Sequence, residues 1–158
     1  MSEPVLRTLW ILRHGEAVGA ARVDAERALT SAGREEVARS ARHLLGEPLQ
    51  LILVSPYLRA QQTAEVVCAV LAEPPALRTV DWLTPDSDPE QVMAELDRLG
   101  LDQLLLVSHQ PLVGTLLGLL DRGERASPHA MGTASLARLE GVAPLPGLMT
   151  LRSLRHSH

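Results

Sequence analysis

Three short apolar runs, at residues 8–13, 49–55 and 103–108, constrain this chain more than any other feature of its sequence. Each is apolar at nearly every position rather than at alternate ones, the pattern of a strand covered on both faces. The segments between them carry helical spacing. Thr30 and Ser31 offer an N-cap to a helix whose inner face holds Val37, Ala38, Ala41, Leu44 and Leu45, stopped by Gly46 and Pro48. Ser55-Pro56 opens a second, with Leu58, Ala64, Val67, Cys68 and Leu71 facing inward, ending before Pro74-Pro75. Asp88-Pro89-Glu90 combines a capping Asp, Pro at the first helical position and an acid in the first turn. That helix carries Val92, Met93, Leu96 and Leu99 and stops at Gly100. A fourth, apolar nearly all round, is expected over residues 112–120. A weak strand is expected near residues 77–80, and two more at 134–139 and 149–154, joined by a Pro- and Gly-containing loop. Strands alternating with helices predict an α/β fold: one three-layer α/β/α domain around a mostly parallel central sheet.

The length of 158 residues suits one domain, taken as residues 1–158, with a disordered tail expected from about residue 154 that holds His156 and His158. With 46% hydrophobic and 22% charged residues the chain is a globular protein rather than a disordered one. A net charge of −4 argues against a general nucleic-acid binder, which needs clustered cations. The single cysteine excludes an internal disulfide framework. No apolar run approaches the ~20 residues that span a bilayer, and the stretch at residues 9–12 is too short for a signal-peptide core. The expectation is a cytoplasmic protein with neither nucleic acid nor membrane as partner. All fifteen basic residues are Arg, and Lys, Asn and Phe are absent. These missing residues share AT-rich codons, so a GC-rich genome explains the bias and only the position of an Arg is informative.

Position is where the chemistry shows. The first apolar run ends in Arg13-His14-Gly15-Glu16, the second in Ser55-Pro56 with Arg59 shortly after, and the third in Ser108-His109 before a Pro-led helix. In open α/β sheets ligands bind outside the carboxyl ends of strands, near helix N-termini that favour anions. Any one of these four cationic or imidazole side chains alone would be an ordinary loop residue. Together they predict an anion site, and Gly15 lets the backbone turn sharply beside it.

The motif Arg13-His14-Gly15-Glu16 resembles the hallmark of the histidine phosphatase superfamily, which includes the phosphoglycerate mutases. Leu29-Thr30 with Gly33, Ser55-Pro56-Tyr57-Leu58-Arg59-Ala60 with Gln62-Thr63, Leu83-Thr84-Pro85, and Val107-Ser108-His109-Gln110-Pro111-Leu112-Val113-Gly114 fit the same pattern. Their order and spacing look most like the small SixA-type phosphohistidine phosphatases, from residue 8 to beyond residue 114. The resemblance implies a phosphoglycerate mutase-like fold without a cap domain. It implies that His14 is the nucleophile and becomes transiently phosphorylated. Arg13, Arg59 and His109 would hold the phosphoryl oxygens, and Arg27 would add to the phosphate pocket. No cofactor and no metal are expected, because the cations are built in.

These residue types suit the reaction. Neutral imidazole is a competent nucleophile near neutral pH, and phosphoryl transfer needs mainly positioning and charge stabilisation, which Arg forks supply. One departure stands out. Where SixA-type sequences often carry Glu before Leu-Thr-Pro, this chain has Trp82, a candidate to pack beside the pocket, with Asp81 one residue earlier as either a substitute general acid or a surface residue. A phosphohistidine substrate needs less acid help than an ester, so the departure favours phosphohistidine or other labile phosphates. The chain between Arg59 and His109 has no spare segment for a lid, so the site should be shallow and accept a phosphorylated protein. A small phosphate monoester or phosphosugar is the alternative substrate, and a non-catalytic phosphate-binding module the alternative class. A mutase is disfavoured, since it must shield its phosphoenzyme from water.

The other candidates have plainer readings. Glu16 could orient an Arg or be solvated; His43 should lie on a surface, and His129 in a solvated loop. A metal site combining His14, His109 and His129 lacks helical ligand spacing and a carboxylate cluster. Cys68 reads as an inert core thiol. The apolar helix at 112–120 is either buried or a dimer face, leaving monomer or weak dimer open.

Overall fold

In the strand β1 (Arg7–Arg13), Leu9 and Ile11 enter one core while Trp10 and Leu12 enter another. The same alternation runs through β2 (Leu51–Val54) and β4 (Gln103–Ser108): Leu51, Leu53, Leu104 and Leu106 face the first core, and Ile52, Val54, Leu105 and Val107 the second. This is why the runs are apolar at successive positions: side chains point to opposite faces in turn, and both faces are covered.

The computed structural model describes residues 5–157. The second core is closed by α1 (Ser31–Ala41) and α2 (Leu58–Leu71), which pack on each other, and the first by α3 (Pro89–Leu99) and α4 (Leu112–Arg122). The sheet has six strands in the order β3-β2-β4-β1-β5-β6, with β3 at Ala76–Thr79, β5 at Leu136–Gly141 and β6 at Met149–Arg155. The first four are parallel, and β5 and β6 run antiparallel at one edge. The expected single three-layer α/β domain with a mostly parallel sheet is the one observed.

The helix signals act as their chemistry dictates. Thr30 caps α1 by accepting the Gly33 N–H, and Asp88 caps α3 by accepting the Glu90 N–H. Gly100 ends α3 in the left-handed region at φ 63°. Other expectations need correction. The second helix begins at Leu58 with Tyr57 as its N-cap, because Ser55 and Pro56 are still in the turn leaving β2. The strand expected at residues 134–139 runs from Leu136 to Gly141, since Ala134, at φ 57°, belongs to the preceding turn.

The expected loose tail is held as well. Leu154 and Arg155 complete β6, the His156 ring lies 3.0 Å from Ser135 Oγ, and Ser157 Oγ donates to Glu36 at 2.9 Å. His158 lies outside the described residues. No helix among the described residues is long and apolar enough to cross a membrane.

The start of α1 lies directly against the loop that leaves β1. Thr30 N–H donates to the Glu16 carbonyl at 2.9 Å. A β-carbon on Gly33 would collide with that carbonyl, and one on Gly15 would come within 2.6 Å of the Gly33 oxygen. Both obstacles are backbone and cannot rotate away. Gly33→Ala is therefore expected to destabilise the protein by about 1–3 kcal/mol, the range for overpacking. It should also impair turnover by displacing the segment that carries His14. Urea denaturation measured alongside activity checks both; an unchanged midpoint would show that the loop has room.

Candidate active site

β1 and β4 are neighbours, with Arg13 paired to Ser108, so the residues that follow them, His14 and His109, emerge side by side. Their ring centroids are 5.1 Å apart. β2 is the other neighbour of β4 and delivers Ser55, and the first turn of α2 delivers Arg59. Chain topology thus gathers the four anticipated residues at one end of the sheet.

His14 is buried and fixed at both nitrogens. Its Nδ1 lies 2.7 Å from the Gly15 carbonyl, which can only accept, so Nδ1 carries the proton. Its Nε2 receives the Arg59 Nε–H at 3.3 Å, so Nε2 presents a lone pair. The ring is neutral at physiological pH. Burial, offset in part by the Gly15 carbonyl and reinforced by Arg59, Arg13 and Arg27, pushes its pKa down to about 4. His109 is pushed down to about 2, by burial first and then by His14 and Arg59. In the ligand-free protein His109 is therefore a neutral donor rather than a cation.

Arg59 is 4% exposed, and each of its three guanidinium nitrogens has a partner. Beyond the bond to His14, Nη1 donates to the Asp24 carbonyl at 2.8 Å and Nη2 to the Asp24 carboxylate at 3.0 Å. The other carboxylate oxygen of Asp24 accepts from Arg27 Nη1 at 3.0 Å. Arg27 thus joins the cluster through Asp24 and touches neither histidine. Arg27 and then Arg59 hold the Asp24 carboxyl below the usual carboxylate range, so it stands ionised between two cations, where a phosphate oxygen could replace it. Arg13 is anchored separately, on the segment before β5. Its Nη1 donates to the Met131 carbonyl at 2.9 Å, while its Nε is buried without a partner among the described residues. Beside it runs an open groove of about 530 Å³, lined by Arg13, Pro111, Thr115, Ala130 and Met131 among others.

Asp81 is exposed at the start of a short 3-10 turn after β3, and among the described residues no hydrogen bond or ion pair ties it to the cluster. Trp82 packs against the core on the α3–α4 side. His129 is not solvated as expected: its side chain is 14% exposed and lies 3.5 Å from Asp121, because residue 129 packs against α4. No group of three His, Cys, Asp or Glu among the described residues could hold a metal ion.

Two supporting residues, Asp24 and Glu36, carried no catalytic signal in the sequence, and a third, Thr63, appeared there only within the family pattern and without a role. Asp24 sits in a loop without periodicity; an acid three residues before Arg27 was its only trace. Thr63 Oγ1 accepts the Gly15 N–H at 3.1 Å and donates to the Arg59 carbonyl at 2.8 Å, locking α2 to the His14 loop. Glu36, buried on α1, accepts the Glu16 N–H at 3.1 Å.

A buried neutral imidazole at the strand ends of an α/β sheet, beside a cluster of Arg, defines a phosphate-binding protein with a histidine at the centre of its site. The comparisons with known proteins agree. Residues 9–82 match the model of the histidine phosphatase superfamily (branch 1). The chain is 38% identical over 134 residues to the phosphohistidine phosphatase SixA of Escherichia coli, covering 82% of each chain. The solved structure of the protein histidine phosphatase SixA complexed with tungstate superposes with a TM-score of 0.86 at 34% identity, over 95% of this chain and 97% of that one. A phosphoglycerate mutase from Bacillus anthracis shares the fold, with a TM-score of 0.76 at 16% identity over 98% and 95%. This chain belongs to the histidine phosphatase superfamily.

Proposed function

We propose that this chain removes the phosphoryl group from phosphohistidine on a protein, by two displacements through phospho-His14. The observation that carries the reading is the fixed state of His14, with Nδ1–H held by Gly15 and the Nε2 lone pair held toward the Arg cluster. In the first step Nε2 forms a bond to phosphorus as the bond from phosphorus to the substrate imidazole breaks, and that ring leaves neutral when its other nitrogen is protonated. His14 keeps its own Nδ1 proton, so phospho-His14 is itself primed to leave as neutral imidazole. In the second step water adds to phosphorus, the Nε2–P bond breaks, and the water proton passes to phosphate or solvent. Arg59, Arg27 and Arg13 neutralise the equatorial oxygens in both steps, replacing the charge a metal would bring. His109 supplies a further hydrogen bond.

Such a leaving group needs no separate acid, so the reading does not depend on Asp81. It is supported by the likeness to a phosphohistidine phosphatase and by the open groove beside Arg13, which leaves room for a polypeptide. Pulsing the protein with a phosphohistidine-containing protein, quenching in base and measuring intact mass tests it. One phosphoryl adduct is expected on the wild type and none on His14→Ala, with turnover unaffected by a chelator. Turnover of small phosphate esters alone would overturn the substrate assignment. Phosphate binding with neither adduct nor turnover would make the chain a binding module.

A further inference from the structure

Ser55, the residue after β2, is fully buried, and its hydroxyl has two neighbours. It accepts the Tyr57 backbone N–H at 3.2 Å, and it lies 2.7 Å from Nε2 of His109. The Tyr57 amide can only donate, so it takes up an oxygen lone pair. The Ser55 proton still needs an acceptor, and of the hydroxyl's two partners only His109 Nε2 can be one. A neutral imidazole that accepts at Nε2 carries its proton at Nδ1. That nitrogen is buried, lacks a partner among the described residues, and belongs to a ring 5.1 Å from the His14 ring. A donor left unpaired in a polar site is one that a ligand's acceptor satisfies.

We infer that Ser55 is a positioning residue which fixes His109 as the Nδ1–H tautomer, so that its one free donor addresses an oxygen of the transferring phosphoryl group. Without the hydroxyl, the ring could carry its proton at Nε2 and turn a lone pair toward the anion, converting a hydrogen bond into a repulsion. The inference rests on the phosphoryl-transfer reading above and adds a residue that touches no substrate.

The direct test is long-range ¹H–¹⁵N NMR of the imidazoles at neutral pH, which reports the tautomer of His109 in the wild type without any substitution. A pyrrole-type Nδ1 and a pyridine-type Nε2 are expected. In Ser55→Ala the two nitrogens should average toward a mixture of tautomers. Tungstate should bind about 10-fold more weakly, and turnover should fall by about 10- to 100-fold, the scale of one misdirected donor. Ser55→Thr, which keeps the hydroxyl, should restore the single tautomer and most of the tungstate affinity; a merely structural role for Ser55 would not follow the tautomer. A wild-type spectrum with the proton on Nε2 would overturn the inference, whether or not Ser55→Ala folds. So would a folded Ser55→Ala with an unchanged tautomer and unchanged tungstate binding. If the tautomer and tungstate results hold while phosphohistidine is not turned over, Ser55 keeps its role and the substrate reading falls.

Discussion

Replacing Arg59 with Lys should lower kcat/KM by about 10²–10³-fold, the loss that follows removal of one preorganised donor from a developing anion. The charge survives this substitution; the fork does not. Arg59 directs Nε at His14 Nε2 while Nη1 and Nη2 hold the carbonyl and carboxylate of Asp24. A lysine ammonium is a compact point charge on a flexible stem and cannot span these three directions at once. It would pair with Asp24, whose side chain is more exposed, and leave Nε2 without its guide. The fold should persist, because the apolar contacts of α2 come from Ala60, Ala64 and Val67 rather than Arg59. Steady-state kinetics with a thermal melt check this. A loss below about 10-fold would show that charge alone, not fork geometry, is what the site needs.

The second large effect is on stability against pH. His14 and His109 are 6% and 1% exposed, and burial keeps both neutral in the folded chain, with pKa values pushed down to about 4 and about 2. In the unfolded chain they return toward 6.5. Below that value the unfolded state binds protons that the folded state refuses. Stability is therefore fully present above pH 6.5 and falls as the pH drops toward 4, where His14 begins to protonate in the fold. Each histidine contributes a slope of up to about 1.4 kcal/mol per pH unit, and the pair up to about 2.7. Urea denaturation at a series of pH values measures the slope, and His14→Gln combined with His109→Gln should flatten it. An equally steep slope in the double variant would assign the acid sensitivity to carboxylates instead.

How much of this was legible before folding depends on how local the cause is. The strands and helices of the three-layer domain follow from periodicity, caps and stops within a few residues, and only boundaries moved, as where Pro56 proved to lie in the turn before α2. His14, Arg13, Arg59 and His109 were visible because each sits at or shortly past the end of an apolar run, where α/β topology puts ligands. Asp24 and Glu36 were not, since nothing in a loop carboxylate or a mid-helix glutamate marks the partner it meets. The terminal segment misled for the same reason: its short polar composition suggested a loose end, but Ser135 and Glu36 offer it hydrogen bonds.

The amino-acid sequence by itself determined the class of sheet, the two covered faces and an anion site at the strand ends, because these depend on residue type and near spacing. Tertiary structure alone decided what the ring nitrogens of His14 and the Nε2 of His109 meet, and that Asp24 stands between Arg27 and Arg59. Those outcomes depend on hydrogen bonds between side chains whose directions are set only when neighbouring strands bring their ends together.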